Sequence, residues 1–278
     1  MIDLHTHFFY EGGHTEAFQR EADLIRGSPV KLAVTPEEFD ATMSIVDRAV
    51  LLSCRALLVG LKQDNDVIAR FAARNPAKYT AFAGIDPCEP RFMDELERCF
   101  GDLKMRGVKL LPMYAGFDPR DRRLDPLYER CQRDGLPILF HTGTTFCRDA
   151  PMRYTRPILW EEVAERYRDL KMVVAHLGHP WEHETVALVR KQPNIWADVS
   201  ALHYRPWQLY NSLMLVQEYG VWKKLLFGSD YPVTTPQAQA DGMRSLNEML
   251  EGTRLPRLNM DSIEQVIQGD SFKVLNLA

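Results

Sequence analysis

Short apolar runs recur along the chain at residues 2–7, 49–53, 79–85, 107–111, 136–141, 171–176, 195–200 and 225–230. Continuous runs of β-branched and aliphatic residues bounded by turn formers suit parallel strands covered on both faces. Between them lie helical patterns with start signals. Thr35-Pro36-Glu37-Glu38 sets a cap, a first-turn proline and acidic residues in order, and Asp125-Pro126 and Thr235-Pro236 repeat the device. Gly135 follows the pattern at 127–134, where the residue that ends a helix belongs. Strand and helix alternate at roughly the ~30 residues of a βαβ unit. About eight strands is also the number that closes a barrel, so the pattern predicts an α/β fold, a (β/α)₈ TIM barrel. An open doubly wound sheet is the alternative, but it would carry a Gly-x-Gly-x-x-Gly turn after the first strand, and Gly12-Gly13 does not supply one.

The barrel reads as a single domain over 1–278. A long loop insertion at 8–33 follows the first strand, and a C-terminal helical tail at 261–278 is expected to pack on the barrel exterior. The insertion mixes aromatics with Arg20 and Arg26 and leaves the face where barrel enzymes hold their sites, which predicts a lid or pocket wall.

Composition narrows the function. Apolar residues make up 45% and charged residues 26%, ordinary for a globular chain. Lys and Arg total 34 against 38 Asp and Glu, a net charge of −4 without a basic tract, which argues against nucleic-acid binding. No positive segment followed by an apolar stretch opens the chain, and no run of about 18 apolar residues occurs, so a soluble, cytoplasmic protein without a membrane partner is expected. Five cysteines without a Cys-x-x-Cys pair fit neither a disulfide framework nor a zinc knuckle and read as reduced thiols.

Candidate chemistry gathers at strand ends. His5 and His7 are two apart on the first strand, so strand alternation turns both imidazoles to one face. His141 ends the fifth run, His176 the sixth and Asp230 the eighth. Five potential ligands or proton carriers thus fall at the C-terminal ends of four strands, where barrels place active sites. His179 and His183, four apart at a helix start, read as surface positions. Lys109 lies on the fourth strand, and His14, His203 and Trp181 lie in loops above the expected mouth.

This ordered set resembles the amidohydrolase superfamily, in particular its branch of amidohydrolase-related hydrolases and decarboxylases that includes aminocarboxymuconate-semialdehyde decarboxylase. The matching pieces are D-L-H-T-H-F at 3–8, G-V-K-L-L-P at 107–112, L-P-I-L-F-H-T-G at 136–143, V-V-A-H-L-G-H-P-W at 173–181 and L-F-G-S-D-Y-P at 226–232, with G-D-S-F at 269–272 closing the chain. The resemblance implies that His5, His7, His141 and Asp230 hold one divalent metal, usually Zn²⁺ with Mn²⁺ as the alternative. His176 stands beside the open position, to polarise or protonate the substrate. The cation lowers the pKa of a bound water to about 7, and Asp230 takes its proton.

Two-metal relatives bridge their ions with a carboxylated lysine on the fourth strand. Here one metal is favoured, with Lys109 paired in the interior or aimed at a substrate anion. The branch acts largely on small organic acids and lactones, which require cationic side chains near the metal. Arg20, Arg26, Arg148 and Arg153 are candidates, and Lys109, Arg20, His203 and Trp181 make the expected substrate-binding set. The expected activity is metal-dependent hydrolysis of a lactone or related cyclic ester or amide. Non-oxidative decarboxylation at the same metal is the alternative, and a silent binding barrel comes third; a homodimer is the expected assembly, as such barrels often form one. Decarboxylases of the branch often show E-x-H on the first strand and H-P after the fifth, whereas this chain has H-T-H and H-T-G.

Overall fold

Eight strands follow one another in chain order around a single sheet, every neighbouring pair parallel. They are β1 (Ile2–Thr6), β2 (Arg48–Leu52), β3 (Tyr79–Gly84), β4 (Val108–Leu110), β5 (Ile138–Phe140), β6 (Met172–Val174), β7 (Ile195–Asp198) and β8 (Leu225–Leu226). The computed structural model describes residues 1–27 and 29–277; the side chain of Arg26 and the last residue of the expected tail lie outside the described part. Between first and last strand the ring is closed by backbone bonds from Leu4 N–H to Phe227 O (3.0 Å), Asp230 N–H to His5 O (2.7 Å) and His7 N–H to Tyr231 O (2.7 Å). The seam therefore runs directly through the residues expected to carry the chemistry.

Strand alternation sorts the apolar side chains into two layers. Leu4, Val50, Leu52, Phe82, Leu139, Val173 and Leu226 point into the barrel, while Ala49, Leu51, Ala83, Val108, Leu110, Ile138 and Phe140 face the surrounding helices. On β4 this phase turns the side chain between Val108 and Leu110 inward, which delivers Lys109 to the interior at 1% exposure. The far end of the barrel is stopped by Phe272, Leu275 and Leu277, which join the interior cluster. The tail thus departs from expectation: the helix Met260–Ile267 packs in the outer layer through Ile263, Val266 and Ile267, but Ser271–Leu275 plugs the interior. Its apolar residues fill the open end of a tapering barrel that the short strands leave uncovered.

The insertion after β1 also departs from a plain loop. It contains α1 (Glu16–Arg26), capped at its start by the Thr15 hydroxyl and closed by Gly27 in the left-handed region at φ 67°. Phe18 and Ala22 bury one face, and Phe18 meets Phe146 of the β5 loop with ring centroids 5.2 Å apart. Next comes α2 (Pro36–Thr42), which opens with the expected Thr35 cap, completed by the Glu38 side chain into a capping box.

Candidate metal centre

Above the apolar floor the barrel interior turns polar. His5 and His7 stand at the end of β1, where its register against β2 shifts between Asp3 and Thr6 and lets His5 share the interior with Leu4, and their Nε2 atoms stand 3.1 Å apart. Asp230, at the end of β8, brings Oδ1 to 3.1 Å from His7 Nε2 and 3.4 Å from His5 Nε2. One ligand atom each of His5, His176 and Asp230 falls within 4.8 Å of the others.

The opposite nitrogens of both imidazoles are already engaged. His5 Nδ1–H donates to Asp198 Oδ2 (2.8 Å), and His7 Nδ1–H donates to Leu52 O (2.9 Å). A carbonyl or ionised carboxylate can only accept, so each Nδ1 carries a proton and Nε2 is the nitrogen that each ring turns toward the Asp230 oxygen. Two imidazole Nε2 atoms and a carboxylate converging at this spacing, each imidazole oriented by an outer acceptor, make a donor set suited to a divalent transition metal. The residues present fit the expected ion.

Electrostatics divide the two imidazoles. Burial alone would lower His7, but Cys54 and the Asp230 carboxylate push it up to about 10, so a cation would take the place of its Nε2 proton. Burial, reinforced by the Lys109 charge, pushes His5 down to about 3, which keeps its Nε2 available as a ligand near neutral pH. Burial alone would raise Asp230, but the neighbouring His176, His7 and His5 hold it well below the usual carboxylate range. Asp198, also fully buried, is held low against burial by His5, His176 and Ser200. Lys109 Nζ lies 3.1 Å from His5 Nε2, and burial lowers its pKa.

Backbone strain concentrates here. His176 (φ 55°), Leu177 (φ 50°), Ala201 (φ 56°) and Asp230 (φ 69°) all occupy the left-handed region without being glycine. Such conformations cost roughly 1–3 kcal/mol each and persist where the surroundings over-determine them, commonly at functional sites. Gly143, of the H-T-G run, has φ +96°, and a Cβ there would sit 2.4 Å from His179 O. A side chain is excluded because the β5 and β6 loops touch at that point.

The other expected residues distribute unevenly. His141 stands beside the cluster, its ring 5.0 Å from those of His176 and Tyr114, but its Nε2 is turned toward Thr144 O at 3.4 Å. His203 lies partly buried in the loop after β7, Nδ1 against Gln239 Oε1 (3.2 Å) and Thr234 Oγ1 (3.3 Å). Trp181 precedes the helix Glu182–Lys191 with the Arg156 guanidinium 5.5 Å from its ring. The structure does not bring Arg20 to the cluster: its side chain is 71% exposed on α1 and pairs with Glu16. Arg148 and Arg153 are exposed as well. The reason is helical phase, since Phe18 and Ala22 take the inward face of α1.

His179 is the clearest reversal. Expected at the surface, it is 7% exposed with its ring 6.1 Å from that of His176, and burial, with the charges of His176 and Arg205, pushes it down to about 3. His183 is exposed as expected. Sequence reasoning missed Asp198, Ser200, Cys54 and Arg205. Cys54 Sγ lies 3.3 Å from His7 Nδ1. Arg205 Nη1 is buried without a hydrogen-bond partner among the described residues. For Asp198 and Ser200 a signal existed: two polar residues, two apart, at the end of an apolar run.

The family model for amidohydrolases (Amidohydro_2) matches residues 2–251. Among curated proteins, a 2-amino-3-carboxymuconate-6-semialdehyde decarboxylase from Dictyostelium discoideum is 23% identical over 232 residues, 72% of this chain. The match spans 64% of that relative's length. Two solved structures share the architecture. A dihydroxybenzoic acid decarboxylase from a Polaromonas species, with manganese bound, superposes with a TM-score of 0.67 at 18% identity, covering 99% of this chain and 96% of the other. A probable 2-pyrone-4,6-dicarboxylic acid hydrolase from Acinetobacter baumannii, with citric acid bound, gives a TM-score of 0.67 at 16% identity over 99% and 98%.

Proposed function

Because this chain belongs to the amidohydrolase family, we propose that it is a metal-dependent hydrolase of a small carboxylated substrate, a lactone or related cyclic ester or amide. The observation that carries this reading is the convergence of His5 Nε2, His7 Nε2 and Asp230 Oδ1, with both Nδ1 protons tied down behind them. His5, His7 and Asp230 would hold one ion, zinc or manganese, with His141 completing the set. When bound, the ion supplies Lewis acidity toward a carbonyl or a water oxygen.

The chain's own residues do the rest. The Asp230 carboxylate, kept ionised by its imidazole neighbours, takes the proton of the attacking water. His176 handles the proton of the group under attack. Lys109 and Arg205 offer cationic groups to a substrate carboxylate. Arg205 supports an acidic substrate because a buried guanidinium nitrogen without a partner is costly until an anion meets it. His203 and Trp181 would border the bound acid.

Decarboxylation at the same site is the second reading, favoured by the decarboxylases among the relatives. Hydrolysis is preferred on the H-T-H and H-T-G runs. A screen of lactones and unsaturated carboxylic acids with the zinc- or manganese-loaded protein finds the substrate, and turnover in ¹⁸O-labelled water then decides. Label in the organic product is expected. Carbon dioxide release without label would establish decarboxylation instead.

A further inference from the structure

Behind the cluster lies a second polar layer that bears directly on His176. Asp198 is fully buried and accepts on both oxygens: Oδ2 takes His5 Nδ1–H (2.8 Å), and Oδ1 receives the backbone N–H groups of His176 (2.9 Å) and Ser200 (3.0 Å). Ser200, equally buried, places its Oγ 2.5 Å from Asp198 Oδ1 and 2.8 Å from His176 Nδ1. The hydroxyl has one hydrogen. Asp198 already accepts three N–H groups, so at 2.5 Å the hydroxyl hydrogen also points to it, and Ser200 Oγ meets His176 only as an acceptor. His176 Nδ1 must then bring the proton. The backbone says the same independently: Ser200 O, which can only accept, lies 3.3 Å from that Nδ1.

We propose that Ser200 is a positioning residue: with Asp198 behind it, it holds a proton on His176 Nδ1, so that Nε2 is the nitrogen the ring presents to the active site and the one that exchanges a proton there. One carboxylate thereby orients two imidazoles. Asp198 Oδ2 fixes His5 directly, and Asp198 Oδ1 fixes His176 through the Ser200 hydroxyl and through the His176 backbone. The chemical consequence alters the role expected from sequence. Whenever the ring is neutral, His176 cannot donate a hydrogen bond to a substrate carbonyl through Nε2; it accepts a proton there first and can return one only afterwards. The left-handed backbone of His176 (φ 55°) belongs to the same device, since it carries N–H and Nδ1 to the same side, against Asp198 and Ser200.

The significance for turnover rests on the catalytic reading above, but the tautomer can be read without any substrate, so failure of one is distinguishable from failure of the other. Two-bond ¹H–¹⁵N correlation spectra of the zinc-loaded chain labelled with ¹⁵N-histidine report which ring nitrogen carries the proton, with His176 assigned by the signals lost in His176→Asn. The wild-type chain is expected to show His176 protonated at Nδ1. Ser200→Ala, which removes one hydroxyl from a small buried side chain, is expected to shift the His176 signals toward a mixture of the two tautomers. A proton on Nε2 instead of Nδ1 in the wild-type chain, or a His176 pattern left unchanged in Ser200→Ala, overturns the proposal.

Discussion

At the scale of single residues, the site depends as much on the groups behind the ligands as on the ligands themselves. His5 and His7 turn Nε2 toward Asp230 because Asp198 and Leu52 O hold the Nδ1 protons on the far side of each ring. Asp198→Asn keeps the shape but replaces an ionised acceptor with an amide that can turn its NH₂ toward His5. Such outer partners are typically worth about 10–100-fold in metal affinity. Asp198→Asn is therefore expected to fold and to bind zinc about 10–100-fold more weakly, measured by competition with a chelator of known affinity. Affinity equal to that of the wild type would remove Asp198 from the orienting role. Asp198 pairs with His5 across 193 positions, and although two polar residues close its apolar run, nothing local shows which partner they meet. The histidines were legible because several of them fell at strand ends together.

At the scale of elements, the decisive contact is the seam between β1 and the end of β8. Asp3 Oδ1 bridges it, accepting the N–H of His5 (3.1 Å) and of Ser229 (2.9 Å), while its Oδ2 is buried without a partner. Burial pushes the Asp3 carboxyl up to about 7. The folded state thus retains a proton that the unfolded chain, with a carboxyl near 3.9, releases. The associated stability is complete below the unfolded value and is lost as pH rises through 7. Thermal midpoints between about pH 5 and 8 should fall more steeply for the wild type than for Asp3→Asn, which cannot ionise; parallel curves would contradict this.

The insertion makes the second element-scale test. Its helix escaped sequence reading because Leu24 and Ile25, 82% and 66% exposed, blur the inward stripe of Phe18 and Ala22. As a wall over the mouth, α1 should tolerate Phe18→Ala with metal content unchanged but with KM raised, once a substrate is in hand. An unchanged KM would make α1 a bystander to binding.

At the scale of the whole molecule, a parallel barrel writes itself plainly into sequence, because strands buried on both faces cannot alternate, and all eight runs became strands. What the runs could not show was closure: which end needs a plug, and where the seam falls. Phe272, Leu275 and Leu277 read as an amphipathic turn whether they lie outside the barrel or stop its floor. The central claim is that this barrel gathers one divalent ion at His5, His7 and Asp230. Metal analysis of the purified wild-type chain beside the His5→Ala, His7→Ala double variant tests it most directly. Close to one tightly bound divalent ion per chain is expected in the wild type and essentially none in the folded double variant; full occupancy in that variant would contradict the account.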